Sequence, residues 1–147
     1  MKVLRLVILG VLVSVFSNMN AQDDATVSNI ASDNECTIIF YRKSKAVPII
    51  LKTLVLNVNC KNPGKEICSL WDETCFKYVT SELGAKEFTA SIKKESKPVK
   101  LKLEGGKTYY VSCWAKDDAF FKYGAGMEIV EEKQALKDIS TLKEVKQ

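Results

Sequence analysis

Five cysteines and no histidine define what chemistry this chain could carry. Without histidine there is no usual general base, no Ser-His or Cys-His nucleophile pair, and no commonest zinc ligand. Three adjacent carboxylate pairs remain, Asp72-Glu73, Asp117-Asp118 and Glu131-Glu132. Neighbouring residues on a strand point to opposite faces, so within strands these pairs do not converge on one substrate. In turns they serve as turn formers and solubilising charge. Gly105-Gly106-Lys107-Thr108 resembles part of a phosphate-binding loop, but Leu101 stands where that pattern needs a glycine, and Tyr109-Tyr110-Val111 reads as a strand rather than a helix. The reading is of a protein that is not an enzyme and that takes no cofactor and no metal.

The cysteines are Cys36, Cys60, Cys68, Cys75 and Cys113, with no Cys-x-x-Cys spacing among them. In an oxidising compartment such a set is read as disulfides rather than metal thiolates. A three-residue loop at Pro63-Gly64-Lys65 would set Cys60 opposite Cys68, and that bridge is the preferred expectation. Cys68 with Cys75 and Cys36 with Cys113 are the competing pairs. The alternative for Cys36 and Cys113 is a buried free thiol packed as a small apolar residue.

The compartment follows from the first 21 residues. Lys2 and Arg5 precede an apolar run from Leu6 to Val13 that continues through Val15 and Phe16, and residues 17–21 offer a small-residue exit. This is the pattern of a secretory signal peptide, with cleavage expected after Ala21 and Ser17 as the second choice. The run is too short for a comfortable span, and no basic flank follows to stop transfer. The protein is therefore expected to be exported, periplasmic or extracellular, and not an integral membrane protein.

Removing residues 1–21 from the 147 leaves 126, enough for one domain with one core. The net charge of +4 falls to +2 with the loss of Lys2 and Arg5, and Arg42 is then the sole arginine among lysines. A surface without guanidinium forks is ill suited to phosphate or base-edge recognition, so nucleic acid is not an expected partner. The locally basic stretch 93–107 reads as the solvated face of two strands.

Residues 22–35 are polar and acidic and are read as a flexible leader. From Cys36 short apolar or alternating runs are separated by turn clusters, the pattern of an antiparallel all-β domain over 36–131. Expected strands cover 36–42, a long 49–59, 66–71, 74–80, 86–93, 99–103, 107–114 and about 126–130. Asp72-Glu73 and Gly105-Gly106 are each expected to close a hairpin. The charged tail 132–147 carries Leu136, Ile139, Leu142 and Val145 at helical spacing. The fold expected is a single antiparallel β-sandwich of seven to eight strands with a short C-terminal helical tail, a small barrel being the competitor.

Cys36-Thr37-Ile38-Ile39-Phe40-Tyr41-Arg42 at the opening, Gly84 before an alternating strand, and the segment from Leu101 to Val111 together resemble domain-of-unknown-function family 2846. Its members are small secreted proteins and lipoproteins of Gram-negative bacteria. The resemblance implies a β-sandwich of the carboxypeptidase-regulatory or transthyretin-like kind and implies no activity. The long strand from Ile49 and the five cysteines depart from that pattern.

The expected function is a non-catalytic envelope module that binds an unknown envelope protein or surface component, or plays a structural role. A secreted binder of a small apolar molecule and a thiol-dependent redox protein are the alternatives. Phe120, Phe121 and Tyr123, in an expected loop from Ala115 to Gly126, are the candidate binding residues.

Overall fold

A run such as Cys-Thr-Ile-Ile-Phe-Tyr-Arg, β-branched and aromatic with no polar alternation, suits a strand covered on both faces. It forms β1 (Cys36–Arg42), the middle strand of a five-stranded sheet, and every residue but Ile39 is buried. The structure is a computed structural model, and it describes residues 32–45, 48–118 and 122–146. The expectations placed on residues 1–31 and on Phe120 and Phe121 lie outside the described residues.

The remaining elements are α1 (Ile49–Thr53), β2 (Leu56–Cys60), β3 (Lys65–Leu70), β4 (Thr74–Thr80), β5 (Gly84–Ser91), β6 (Val99–Leu103), β7 (Thr108–Asp118), β8 (Lys122–Val130), α2 (Glu132–Ile139) and β9 (Lys143–Glu144). They make two sheets, ordered β8-β7-β1-β4-β9 and β3-β2-β5-β6. The chain is thus mostly β, but the described strands number nine and the first sheet is mixed. β1 runs parallel to β7, from Thr37↔Thr108 to Tyr41↔Ser112, and β4 runs parallel to β9.

Both expected hairpins are corrected by this topology. β3 and β4 flank Asp72-Glu73 but lie in different sheets, with Glu73 at φ 57° where the chain turns between them. β6 pairs with β5, and the chain leaves it through Gly105-Gly106 to enter the other sheet as β7. Gly105 is required there by close approach, since a Cβ would stand 1.8 Å from the Asp33 carbonyl oxygen. Gly106 N–H donates to Glu35 O at 2.8 Å and Thr37 N–H to Lys107 O at 2.9 Å, so the Gly-Gly-Lys turn pins the chain entering β1 beside β7. The last part of the expected leader, Asp33 to Glu35, is therefore held against the domain.

The expected strand 49–59 is divided. Pro48 caps a five-residue helix in which only Leu51 is buried, and the strand begins at Leu56. Arg42, at the end of β1, fixes this arrangement from inside. Its Nη2 donates to Leu51 O at 2.5 Å, its Nη1 donates to Leu54 O at 2.5 Å and Leu70 O at 3.4 Å, and its Nε lies 3.7 Å from an Asp72 oxygen. Burial lowers the guanidinium's pKa and Asp72 opposes that shift. Arg42 is thus an internal clamp.

One core joins the sheets. Ile38 and Phe40 of β1, Val111 and Cys113 of β7 and Met127 of β8 cluster with Leu56, Val58, Leu70, Phe88, Ala90, Leu101 and Leu103 of the other sheet. The outer face of β1 and β7 is covered by α2, where Ala135 packs with Tyr41, Cys75 and Tyr110 and with the partly buried Ile139 and Leu142. The helical spacing in the tail is real, although Leu136 faces solvent.

Asp138 ties α2 to β1. It accepts from Lys43 Nζ at 2.7 Å, Gln134 Nε2 at 3.0 Å and Tyr41 OH at 3.4 Å. The Lys43 hydrogen bond is the main cause that holds its carboxyl below the usual carboxylate range. A depressed carboxylate pKa stabilises the fold above the unfolded value of about 3.9, and that contribution is lost as pH falls through the folded value. Amide protection factors in α2, taken against the intrinsic exchange rate at each pH, should therefore fall below about pH 4, and Asp138→Asn should flatten that dependence. Equal acid profiles for the two proteins would contradict the role given to Asp138.

Candidate functional site

The cysteines do not meet as expected. The β2–β3 ladder shifts register between Val58 and Asn59, so Cys68 faces Val58 and Cys60 faces Lys65. The expected three-residue loop is instead a turn through residues 61–64, closed by Gly64 N–H donating to Cys60 O at 3.0 Å. Cys75 lies in the cluster under α2, whereas Cys68 lies in the core between the sheets. Cys36 opens β1 while Cys113 follows Ser112, the partner of Tyr41, so the two sit at opposite ends of a shared ladder, roughly 20 Å apart at strand rise.

All five are buried, free thiols. Burial pushes the Cys68 thiol up to about 12 and raises those of Cys36, Cys75 and Cys113. Nucleophilic cysteines need the opposite, a lowered pKa and access to solvent.

Tyr123 is also corrected. β7 and β8 continue as a ladder to Asp118↔Lys122, so most of the expected loop is strand. Tyr123 is 7% exposed and packs with Leu51 and Ala115. The long strands were missed because Gly124 and Gly126 read as loop residues. The carboxylate pairs stay apart: Asp72 is taken up by Arg42 and Ser44, and Glu132 accepts from Tyr110 OH at 3.3 Å.

What the fold does bring together is lysine. The antiparallel pairs Ala85↔Lys102, Lys86↔Leu101 and Glu87↔Lys100 set two walls of a recess on the second sheet. Lys61 N–H donates to Glu87 O at 2.8 Å and brings the β2–β3 turn alongside. The recess is about 610 Å³ and is lined by Lys61, Asn62, Ala85, Lys86, Glu87, Lys100, Leu101 and Lys102. Tyr109 OH donates to Lys102 O at 2.7 Å and accepts from Glu104 N–H at 3.0 Å, which fixes the end of β6.

Its ammonium groups are balanced at the rim. Lys86 Nζ lies 2.9 Å from a Glu82 oxygen, Lys100 Nζ 3.2 Å from Glu87 and Lys61 Nζ 3.7 Å from Glu95. Glu82 raises the Lys86 pKa, and Lys86 lowers that of Glu82, each through the hydrogen bond between them. Rim pairs of this kind are weak and screened by solvent and salt. An incoming anion can therefore replace the rim carboxylates at small cost.

Sequence reading found Lys100 and Lys102 only as part of a solvated face, and it missed Lys61, Asn62 and Lys86. Lys86 carried a signal, because it shares strand parity with Phe88 and Ala90. A lysine on the apolar side of an alternating strand marks the place where the core gives way to charge.

Among the described residues, no group of His, Cys, Asp and Glu could hold a metal ion, and no helix is long and apolar enough to cross a membrane. No family model, curated protein or solved structure matches this chain.

Proposed function

We propose that the chain is an exported, non-catalytic β-sandwich module of the bacterial envelope that binds an anionic partner through the lysine-lined recess. The observation that carries this reading is that Lys61 of the β2–β3 turn and Lys100 and Lys102 on the outward face of β6 line one concavity, while Lys86, paired with Leu101, lies on the core-side parity of β5 at its edge. The apolar leader sequence, two sheets sharing one core, and the resemblance of the opening strand to secreted envelope proteins support the rest.

The ligand is a carboxylate- or phosphate-bearing surface component. Ammonium groups act as strongly hydrated point charges, without the fixed fork of arginine, so recognition is by charge density and is salt-sensitive. The sole mature arginine is committed to the interior. An apolar ligand fits less well, because Ala85 and Leu101 are the apolar members of the lining. A smaller recess of about 200 Å³ beside Trp114 and Met127 likewise includes Lys97 and Lys116 in its lining. A thiol-dependent role is disfavoured by the burial of all five cysteines and the upward pKa shifts of four.

Fluorescently labelled poly-L-glutamate is the probe. The double variant Lys100→Glu, Lys102→Glu changes exposed positions and should leave the melting temperature within a few degrees of wild type. Its affinity for the probe should fall at least tenfold. Unchanged affinity would remove the recess as the binding site.

A further inference from the structure

The connection between β5 and β6 is fastened to its surroundings before it reaches Lys97. Ser91 bridges to Glu95, Ser96 N–H donates to Ala90 O at 2.7 Å, Ser96 Oγ accepts from Ala90 N–H at 3.0 Å, and Lys94 forms a parallel bridge to Gly124 of β8. Lys97 is thereby set beside β8, the end strand of its sheet. There it shares the recess of about 200 Å³ with Trp114, Lys116, Ala125, Gly126 and Met127. Trp114 pairs with Gly126 across the β7–β8 ladder, and its indole lies directly on the glycine, where a Cβ would stand 2.3 Å from the ring. Lys45 Nζ, 4.1 Å from the ring centroid, holds the indole in place. Among the described residues, no acceptor takes up the indole N–H of the half-buried Trp114 and no carboxylate pairs with Lys97.

From these two open donors beside the apolar atoms of Ala125, Gly126 and Met127, we infer that the recess between Lys97 and Trp114 binds a small aromatic carboxylate. The ammonium of Lys97 and the indole N–H donate to the carboxylate oxygens, the first of them a charge-assisted bond. The ligand ring meets the edge of the indole and the Met127 thioether, contacts that aromatic rings favour. Size sets the class, since a cavity of about 150 Å³ accepts benzene and drug-sized ligands need about 300 Å³ or more. One ring with one carboxylate therefore fits this recess. The fastened loop and the seated indole hold both donors in place before the ligand arrives, which limits the ordering cost of binding. The inference goes beyond the lysine recess of the proposed function and does not depend on it.

The test is a titration of the isotopically labelled protein with benzoate, followed through the two indole N–H signals, those of Trp71 and Trp114. Trp71→Phe, at an exposed position, assigns them. Benzoate should move the Trp114 indole signal and the amides of Ala125, Gly126 and Met127 while leaving Trp71 in place. Benzamide lacks the charge and acetate lacks the ring, so each should bind about tenfold more weakly or worse. Lys97→Gln, also at an exposed position, should lose about tenfold for benzoate and change little for benzamide. The variant with Lys100→Glu and Lys102→Glu should keep the benzoate response at about 0.15 M salt, where more distant charges are screened. Benzoate shifts that miss Trp114, an equal response to acetate or benzamide, or undiminished binding by Lys97→Gln would overturn the inference. Loss of the response in the Lys100 and Lys102 variant would overturn it too, by assigning benzoate to the other recess.

Discussion

Arg42→Ala should destabilise the domain by about 3–5 kcal/mol, the cost of breaking a buried charged group out of its partners. The side chain is 2% exposed and satisfies carbonyls at Leu51, Leu54 and Leu70 while facing Asp72. Alanine removes those donors and leaves acceptors in a region that water does not readily reach. Since domains have total stabilities of about 5–15 kcal/mol, such a loss brings this one close to unfolding. Arg42→Lys should recover only part of it, because one ammonium cannot present the planar fork that spans separate carbonyls. Urea unfolding of the three proteins measures this, together with protease cleavage near α1, which should speed up as the clamp is lost. A loss below about 1 kcal/mol for alanine, the size of an ordinary surface effect, would contradict the clamp.

Phe88→Ala is expected to cost a comparable amount, about 3–5 kcal/mol, by a different mechanism. Phe88 on β5 is 1% exposed and meets Phe40 of β1 with ring centroids 5.4 Å apart and planes tilted by 59°. These rings come from different sheets, so their contact is part of what joins the two sheets in one core. Alanine loses the transfer energy of the ring, the tilted aromatic pair and the packing of the space left behind. Phe88→Leu keeps much of the volume and should cost less than half as much. Equal losses for the two variants, read from denaturation midpoints at unchanged slope, would show that the ring contact is not what matters.

Local pattern carried much of the strand content but little of the pairing. β1 and β4 fall on the expected residues because each is a run bounded by clear breaks, and β6 follows from Val99, Leu101 and Leu103. α1 was hidden because Ile-Ile-Leu is as good a strand sequence as any, and only the internal contact with Arg42 makes a helical turn worthwhile there. The turns at Asp72-Glu73 and Gly105-Gly106 were recognised, yet a turn signal states that the chain reverses, not which strand it meets next. That choice is made by the core, which draws β4 and β7 to the sheet opposite β3 and β6. Register carried the same weakness, as the shift between Val58 and Asn59 separates Cys60 from Cys68. The recess was illegible for a related reason. Its outward lysines lie on β6 and the β2–β3 turn, on either side of β5, and only the pairing of those segments brings them to one site.

The central claim, that the lysine recess is the place of binding, is tested most directly by mapping contact residue by residue. In a titration of isotopically labelled protein with poly-L-glutamate, followed by amide chemical shifts, the largest changes should fall on Lys61, Asn62, Ala85, Lys86, Leu101 and Lys102. They should weaken steeply as salt rises, because the contacts are exposed charges. Shifts concentrated elsewhere on the molecule, or binding that is indifferent to salt, would contradict the account.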